Sequence, residues 1–367
     1  MKAIAATHSK RSLLKRALLG LTLMIVAAFG SAWLLDASID KNEDGAGSAS
    51  HSRATIAGVK KWGYQLQGLQ VDRVAAGDHD LIVVDETLDR ENADGTGAAL
   101  ARLRQKPDGG RRLVVAYLSI GEAEDYRPYW KAAWVAPGPR VQNPIRFVGL
   151  RSAATSPART HARFAAKPDA APLLPTAAAP AWLGSENAEW RGNYNVRFWH
   201  PDWKALVLGG PGAALDRIIE AGFDGVYLDR ADVYNLWRHE QPSAKADMVE
   251  FVAEIAAYAR RKKPGFLVVL QNAEELLANS TVRRALDAVA KEDLLYGLEQ
   301  EGRENASAEV QSSLRYLRQA RREGIPVLVV EYLGDVAAID LARRRIESEG
   351  FLAYFGPRSL DVLSRSN

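Results

Sequence analysis

Two carboxylates in this chain follow short apolar runs. Asp229 ends the run 222–228 and is followed at once by Arg230 and Asp232, and Glu292 comes just after the run 288–290. A carboxylate at the C-terminal end of a buried strand points into the mouth of a parallel α/β fold, where such folds carry their active sites. Hydrolysis of a glycosidic bond needs two such groups, one to attack or activate water and one to protonate the leaving oxygen. We predict Asp229 as the nucleophile and Glu292 as the general acid and base.

The elements that would position these groups recur along the chain as short apolar runs. The predicted strands are 62–66, 81–84, 113–120, 225–228, 266–270, 288–290, 326–330 and 351–355. Helical patterns follow the later ones, at 213–221, 245–262, 273–280, 306–323 and 336–349. Eight strands is the number that closes a barrel, so the pattern predicts an α/β fold, a single-domain (β/α)8 TIM barrel.

Nearly every predicted strand ends on a polar side chain. These are Gln65, Asp85, Ser119, Asp229, Gln271 with Asn272, Glu292 and Glu331. In a barrel of this kind the C-terminal strand ends carry the active site and the opposite rim carries stability, so the set favours an enzyme. The alternative is that polar residues only mark the exits of strands into loops.

Two loops, 117–130 and 190–203, mix aromatic residues with carboxylates and amides. This density is more typical of a polysaccharide cleft than of a core, although we assign Trp130 and Trp203 to the core. Strand ends and aromatic loops together give the predicted substrate-binding side chains, which are Tyr64, Asp85, Tyr117, Ser119, Glu122, Glu124, Tyr126, Tyr194, Trp199, Asp232, Tyr234, Gln271, Asn272, Tyr296 and Glu331.

Composition excludes several other kinds of site. The 367 residues contain no cysteine, so disulfides, thiolate zinc sites and a cysteine nucleophile are ruled out. The six histidines never fall at the spacing of metal ligands, and we expect neither a metal nor a cofactor. The glycine-rich stretch 208–212 lacks the Gly-Lys-Ser/Thr ending of a phosphate loop, so we interpret it as a helix entry.

The N-terminus predicts export. Five basic residues lie in the first 16, and residues 17–35 then run without a charge for 19 residues, close to the roughly 20 that span a bilayer. We expect residues 1–36 to be a signal peptide or a signal anchor, 37–55 a polar linker and 56–364 the barrel. The protein would be periplasmic or secreted, or held at the inner membrane through 17–35 if that segment is not cleaved.

Charge is unevenly distributed along the chain. The net charge is +3, residues 1–35 carry +5 and residues 131–181 carry +6, which leaves −8 on the remainder. An acidic body is a poor binder of nucleic acid and a suitable one for cationic ligands. Residues 136–181 are rich in alanine and proline, and we predict a partly disordered insertion between strands three and four, acting either as a lid or as filler.

Six stretches carry a resemblance to a known family: WGYQL (62–66), YLSIGEAEDYRPYW (117–130), AWLGSENAEWRGNYNVRFWHPDW (181–203), GFDGVYLDR (222–230), QNAEELL (271–277) and AKEDLLY (290–296). They resemble glycoside hydrolase family 114, the endo-α-1,4-polygalactosaminidase family. The resemblance implies a barrel of eight βα units and hydrolysis of an α-1,4-linked galactosamine polymer with retention of configuration. Asp229 and Glu292 match its strand-four and strand-six carboxylates. Ala273 stands where the family more often has glycine.

Two other functions remain open at this stage. The same cleft would suit a catalytically inactive polysaccharide-binding protein of the cell envelope. It would also suit an α-galactosidase-like glycosidase with another substrate, because sugar identity depends on loop geometry.

Overall fold

The computed structural model describes residues 55–88, 95–136 and 172–364, all within the compact unit Ala49–Asn367. The predicted export segment 1–36, most of the linker and residues 137–171 of the predicted insertion lie outside these ranges. Within the described ranges, no helix combines the length and hydropathy needed to cross a bilayer.

All eight predicted barrel strands are present and parallel, in chain order around the sheet. They are β1 (Trp62–Tyr64), β2 (Leu81–Asp85), β3 (Leu113–Ser119), β7 (Gly225–Asp229), β8 (Leu267–Gln271), β9 (Ala288–Glu292), β10 (Val327–Glu331) and β11 (Leu352–Phe355). Between β3 and β7 in the chain, β4 (Glu122–Glu124), β5 (Leu183–Glu186) and β6 (Asn193–Val196) form a separate small sheet. The TIM-barrel prediction is confirmed.

The first and last barrel strands are joined by side chains. The Trp62 indole donates to the carbonyl of Leu352 at 3.1 Å, and the Tyr354 hydroxyl donates to the carbonyl of Tyr64 at 3.3 Å. Just beyond the strands, the backbone N–H of Leu66 donates to the carbonyl of Leu360 at 2.8 Å. These bonds bring the two edges of the sheet together and nearly close the barrel.

Helices cover the outside of the sheet. They are α1 (Val71–Ala75), α2 (Gly95–Arg104), α3 (Pro201–Val207), α4 (Ala214–Ala221), α5 (Tyr234–Trp237), α6 (Ala244–Lys262), α7 (Ser280–Ala285), α8 (Ser307–Arg322) and α9 (Val336–Ser348). Helix α6 buries Met248, Val252, Ile255 and Ala259, the three-to-four spacing of a helix with one apolar face.

One predicted helix, 273–280, is wrong. Ala273 has a left-handed backbone with φ of 48°, and a 3-10 turn (Glu274–Ala278) follows it. Helix α7 then starts separately at Ser280, because the Asn279 side chain accepts a hydrogen bond from the backbone N–H of Thr281 at 2.8 Å. The N-cap at Asn279 therefore starts a new helix within the segment that the apolar pattern predicted as one.

Alternation along each strand produces two cores. Leu81 and Val83 point into the barrel, while Ile82 and Val84 pack between the sheet and the helices. Every barrel strand repeats this period of two. The position of a strand-end residue in this alternation therefore determines whether its side chain points into the barrel or toward the helices.

The aromatic loops build a second layer that the sequence did not predict. Strands β4 (Glu122–Glu124), β6 (Asn193–Val196) and β5 (Leu183–Glu186) form an antiparallel sheet in that order. Beneath it Trp182 packs on Trp203 with ring centroids 5.0 Å apart, and Trp130 stacks on Tyr194 at 4.6 Å. Most of these rings are therefore core, and the expectation that they mainly line a cleft is wrong.

The C-terminal end of the predicted insertion packs against the body. Pro175 forms an antiparallel bridge with Val135, and the backbone N–H of Thr176 donates to the carbonyl of Trp134 at 2.9 Å. The C-terminal end of the insertion is thus paired with the residues that directly precede the insertion.

Candidate active site

The inward register of the barrel strands delivers the two predicted catalytic carboxylates to one cleft. Asp229 follows the inward-facing Tyr227, and Glu292 follows the inward-facing Ala290, each two residues further along its strand. Gln271 of β8 lies between them in the sheet order. The two carboxylates line the same cleft at the C-terminal mouth of the barrel.

Left-handed backbone follows three neighbouring strands at this mouth. Arg230 (φ 61°), Asn272 (φ 54°) and Asp293 (φ 51°) come immediately after Asp229, Gln271 and Glu292. This conformation is unfavourable for most residues other than glycine, asparagine and aspartate, so the strain falls on Arg230; strained backbone is concentrated at functional sites. The turns redirect the chain at once after each strand-end side chain.

Asp229 is held by two donors. The Tyr117 hydroxyl donates to Oδ2 at 2.7 Å, and the backbone N–H of Arg230 donates to Oδ1 at 2.7 Å. Burial raises the pKa of Asp229, while the Arg230 guanidinium and the Tyr117 hydroxyl oppose the rise by favouring the carboxylate.

Glu292 receives donors on both oxygens and contacts no cation. The Gln271 and Asn272 amides donate to Oε2, the latter at 3.2 Å, and the Tyr332 hydroxyl donates to Oε1. Burial and the charge of Asp229 raise the pKa of Glu292 to about 7. Arg230 therefore favours the charged form of Asp229, whereas the groups that donate to Glu292 are uncharged.

A third carboxylate, Glu122, stands behind Arg230. Its side chain is 1% exposed, and Oε1 pairs with Arg230 Nε at 2.9 Å. Burial raises the pKa of Glu122 to about 7 against the influence of Arg230 and of Asn187, whose amide donates to it at 2.8 Å. Gly121 permits this packing, because a Cβ there would lie 2.0 Å from the carbonyl oxygen of Arg230.

A separate acidic cluster surrounds Arg127 on the β2 side of the cleft. The Arg127 guanidinium, 3% exposed, contacts Asp85 at 2.9 Å, Glu86 at 3.2 Å and Glu124 at 2.6 Å. Although burial raises the pKa of Asp85, Arg127 and the Thr87 hydrogen bonds outweigh it and leave the pKa lowered. We call this group the Arg127 cluster.

The cavity at this mouth has a volume of about 1570 Å³ and extends beyond the mouth, to Lys60 and Lys61 before β1 and to Arg343 and Glu347 of helix α9. Its wall includes nine carboxylate and six basic side chains, so it is acidic. Eight of the predicted substrate-binding residues line it, namely Tyr64, Asp85, Tyr117, Glu122, Glu124, Tyr126, Gln271 and Asn272.

The other seven predicted binding residues lie outside the cleft wall. Ser119 is buried, where its hydroxyl accepts the backbone N–H of Glu122 at 3.2 Å, and Asp232 flanks Arg230 at 3.7 Å. Trp199 packs edge-on against Trp237, with ring centroids 5.6 Å apart. Three buried rings belong to the main hydrophobic core: Tyr194, Tyr234 and Tyr296.

Glu331, the last of the seven, points away from the cleft. Its carboxylate is fully buried and accepts the backbone N–H groups of Leu295 at 2.7 Å and Tyr296 at 3.2 Å. Burial raises the pKa of Glu331 to about 8. It anchors the loop that follows Glu292.

Sequence reasoning missed Tyr332, which lines the cleft next to Glu292. The signal was available, since Leu328, Val330 and Tyr332 share the inward phase of β10 whereas Glu331 has the outward phase. Arg127 was also missed, because two of its three carboxylate partners, Asp85 and Glu86, lie 42 and 41 residues before it in the chain. Within the described ranges, no group of His, Asp and Glu side chains could hold a metal ion.

Comparisons with known proteins agree with this geometry. A model of glycoside-hydrolase family GH114 matches residues 166–366. An uncharacterised protein of Deinococcus radiodurans is 34% identical over 85% of this chain and 84% of its own length, and one of Methanocaldococcus jannaschii is 32% identical over 83% and 78%. The glycoside hydrolase domain of PelA from Pseudomonas aeruginosa superposes with a TM-score of 0.53 and 18% identity, covering 83% of this chain and 97% of that domain. At that identity the likeness concerns the fold.

Proposed function

We propose that this protein cleaves an α-1,4-linked galactosamine-type polymer. The chain belongs to glycoside hydrolase family 114, and its reaction class is therefore the hydrolysis of glycosidic bonds in polysaccharide. Asp229 is the nucleophile in this proposal, and Glu292 is the general acid and base. The observation that carries it is the pair of strand-end carboxylates in one cleft with different surroundings, a guanidinium beside Asp229 and only uncharged donors on Glu292.

In the proposed first step, an Asp229 oxygen attacks the anomeric carbon while Glu292 transfers its proton to the departing glycosidic oxygen. The bond from carbon to the leaving oxygen breaks, and a covalent glycosyl-enzyme remains. Glu292, now a carboxylate, then takes a proton from water, whose oxygen displaces Asp229. Two inversions give net retention of configuration.

The shape and charge of the cleft support a polymeric amino sugar. The cavity at the mouth, about 1570 Å³ including its extension along β1 and helix α9, exceeds the roughly 300–1,000 Å³ typical of small-ligand pockets. Carboxylates outnumber basic side chains along its wall, which favours a chain that carries ammonium groups. Tyr126 and Trp190 add aromatic surface at the rim.

The test is to incubate the full-length protein with partly deacetylated α-1,4-galactosamine polymer and to follow new reducing ends, with an α-galactoside in parallel. We expect cleavage of the polymer, and proton NMR of the first product should show the α-anomer. Binding without new reducing ends would instead indicate the inactive envelope protein. Preferential cleavage of the α-galactoside would overturn the substrate assignment.

We also propose that the protein is exported through residues 1–36, and that uncleaved molecules stay at the inner membrane through 17–35. The support is the basic start followed by the uncharged run. A fusion to alkaline phosphatase, which is active only outside the cytoplasm, should be active. An inactive fusion in a stable protein would contradict export.

A further inference from the structure

We propose that Tyr332 is a positioning residue that places the acidic proton of Glu292 on Oε1 and directs it at the leaving oxygen. This inference rests on the proposed role of Glu292 as general acid. Tyr332 directly follows β10, and its side chain has the inward phase of Leu328 and Val330. Its hydroxyl donates to Glu292 Oε1.

The opposite oxygen, Oε2, is closed to the proton. Asn272 Oδ1 accepts the backbone N–H of Glu292 at 3.1 Å, so its Nδ2 must face Oε2. Gln271 Oε1 accepts the Tyr64 hydroxyl at 3.3 Å, so its Nε2 must also face Oε2. Amide N–H groups cannot accept a hydrogen bond, and a proton on Oε2 would therefore be opposed by two donors.

Oε1 has a partner of a different kind. A hydroxyl can donate to a carboxylate or, after rotating its hydrogen, accept from a carboxylic acid. Tyr332 therefore suits both states of Glu292, the acid before cleavage and the anion after its proton has moved to the glycosidic oxygen. Its donation to the anion stabilises the charge that forms as the bond breaks.

The Tyr332 ring is itself held in place. The Arg358 guanidinium lies over it at 4.3 Å from the ring centroid and pairs with Asp293 at 2.7 Å. Burial and the charge of Glu292 raise the pKa of Tyr332 well above its usual value. The hydroxyl therefore stays protonated, and it can donate to Oε1 when Glu292 is an anion.

The substitution Tyr332→Phe removes this hydroxyl and retains the ring. The direct readout is the titration of Glu292 in full-length protein labelled with ¹³C at glutamate Cδ, with its resonance identified by its loss in Glu292→Gln. We expect the apparent pKa to rise by about one unit, because the anion loses a donor while the neutral acid loses less. The other groups facing Glu292, which are Asp229, Tyr64, Tyr227, Asp293 and Arg358, are unchanged.

The kinetic readout is the pH profile on the polymer. In Tyr332→Phe we expect kcat to fall about 10- to 100-fold with KM within about twofold, and the alkaline limb to move up with the titration. Tyr258→Phe is the matched control, because the Tyr258 hydroxyl bonds Asp216 on an outer helix at 2.7 Å, and it should change neither readout.

Superimposable Glu292 titrations in wild type and Tyr332→Phe would overturn the inference, whatever the activity. A raised KM with unchanged kcat would also overturn it, since Tyr332 would then only bind substrate. If the wild type cleaves no polymer, the proposed function fails, whereas the NMR titration still decides whether the Tyr332 hydroxyl stabilises the Glu292 anion.

Discussion

The two acidic groups at the mouth of the barrel have opposite partners. In the Arg127 cluster, Asp85, Glu86 and Glu124 converge on one buried guanidinium. Glu292, by contrast, faces two amides and a phenol. Arg127 lowers the pKa of Asp85 despite its burial, whereas burial and the charge of Asp229 raise the pKa of Glu292 to about 7. These two carboxylates share a position at a strand end and differ in their partners.

The backbone shows the same difference. Left-handed residues follow Asp229, Gln271 and Glu292, whereas within the described ranges none follows Asp85 at the end of β2. The chain turns sharply after the strands that present Asp229, Gln271 and Glu292. Of these turns the one at Arg230 is strained, because asparagine and aspartate tolerate the left-handed conformation.

The largest effect should come from replacing the two proposed catalytic carboxylates with amides. We expect Glu292→Gln and Asp229→Asn each to lower kcat/KM on the polymer by at least about 10³-fold with an unchanged unfolding midpoint, since each removes a group that acts on the reacting bond. Reducing-end assays and urea denaturation measure the two quantities. Glu299→Gln, an exposed pair with Arg303, is the control, and equal losses in it would contradict the assignment.

A substitution in the Arg127 cluster should instead lower the free energy of unfolding. Arg127→Met leaves three buried carboxylates without their shared cation, and we expect a loss of about 3–5 kcal/mol in the free energy of unfolding. Urea denaturation with circular dichroism measures it. Removal of an exposed pair, as in Arg303→Met, should cost less than about 1 kcal/mol. A loss of that small size at Arg127 would show that the cluster does not support the fold.

The pH dependence of activity should distinguish Glu292 from the Arg127 cluster in protein that remains folded. Glu292 must be protonated to act as the acid, so kcat/KM should fall as pH rises through about 7. Glu86→Gln, which changes the Arg127 cluster, should leave this limb in place. A limb that moves with Glu86→Gln, or one far from pH 7, would mean that a different group supplies the proton.

The smallest effect concerns a left-handed turn. Ala273 has φ of 48°, and Ala273→Gly should raise the free energy of unfolding by up to about 1 kcal/mol with activity within twofold, since glycine adopts this conformation without steric cost. Ala257→Gly in the exposed face of α6 should lower it by about 1 kcal/mol. Equal changes of the same sign would show that the turn at Ala273 is not strained.

Much of this architecture follows from local pattern. Apolar runs located all eight strands, and strand ends located Asp229 and Glu292, because register and period are set by short-range sequence. Tyr332 was missed by one position, since the strand-end rule selected Glu331 without applying the period of two. The aromatic loops were misjudged because ring density does not show which rings pack together when 183–186 pairs with 193–196. Arg127 depends on contacts with Asp85 and Glu86, 42 and 41 residues away, which no local pattern encodes.

The joint between β1 and β11 has a consequence for how the molecule assembles. The indole of Trp62 and the hydroxyl of Tyr354 each bond a residue 290 positions away in sequence. Bringing such distant segments together is entropically costly, so closure is favoured only once the intervening strands have assembled. A chain that lacks its last strand cannot make this joint, and Trp62 then has no carbonyl to meet. We therefore expect the final stretch of the chain to complete the barrel as the last and slowest event of folding.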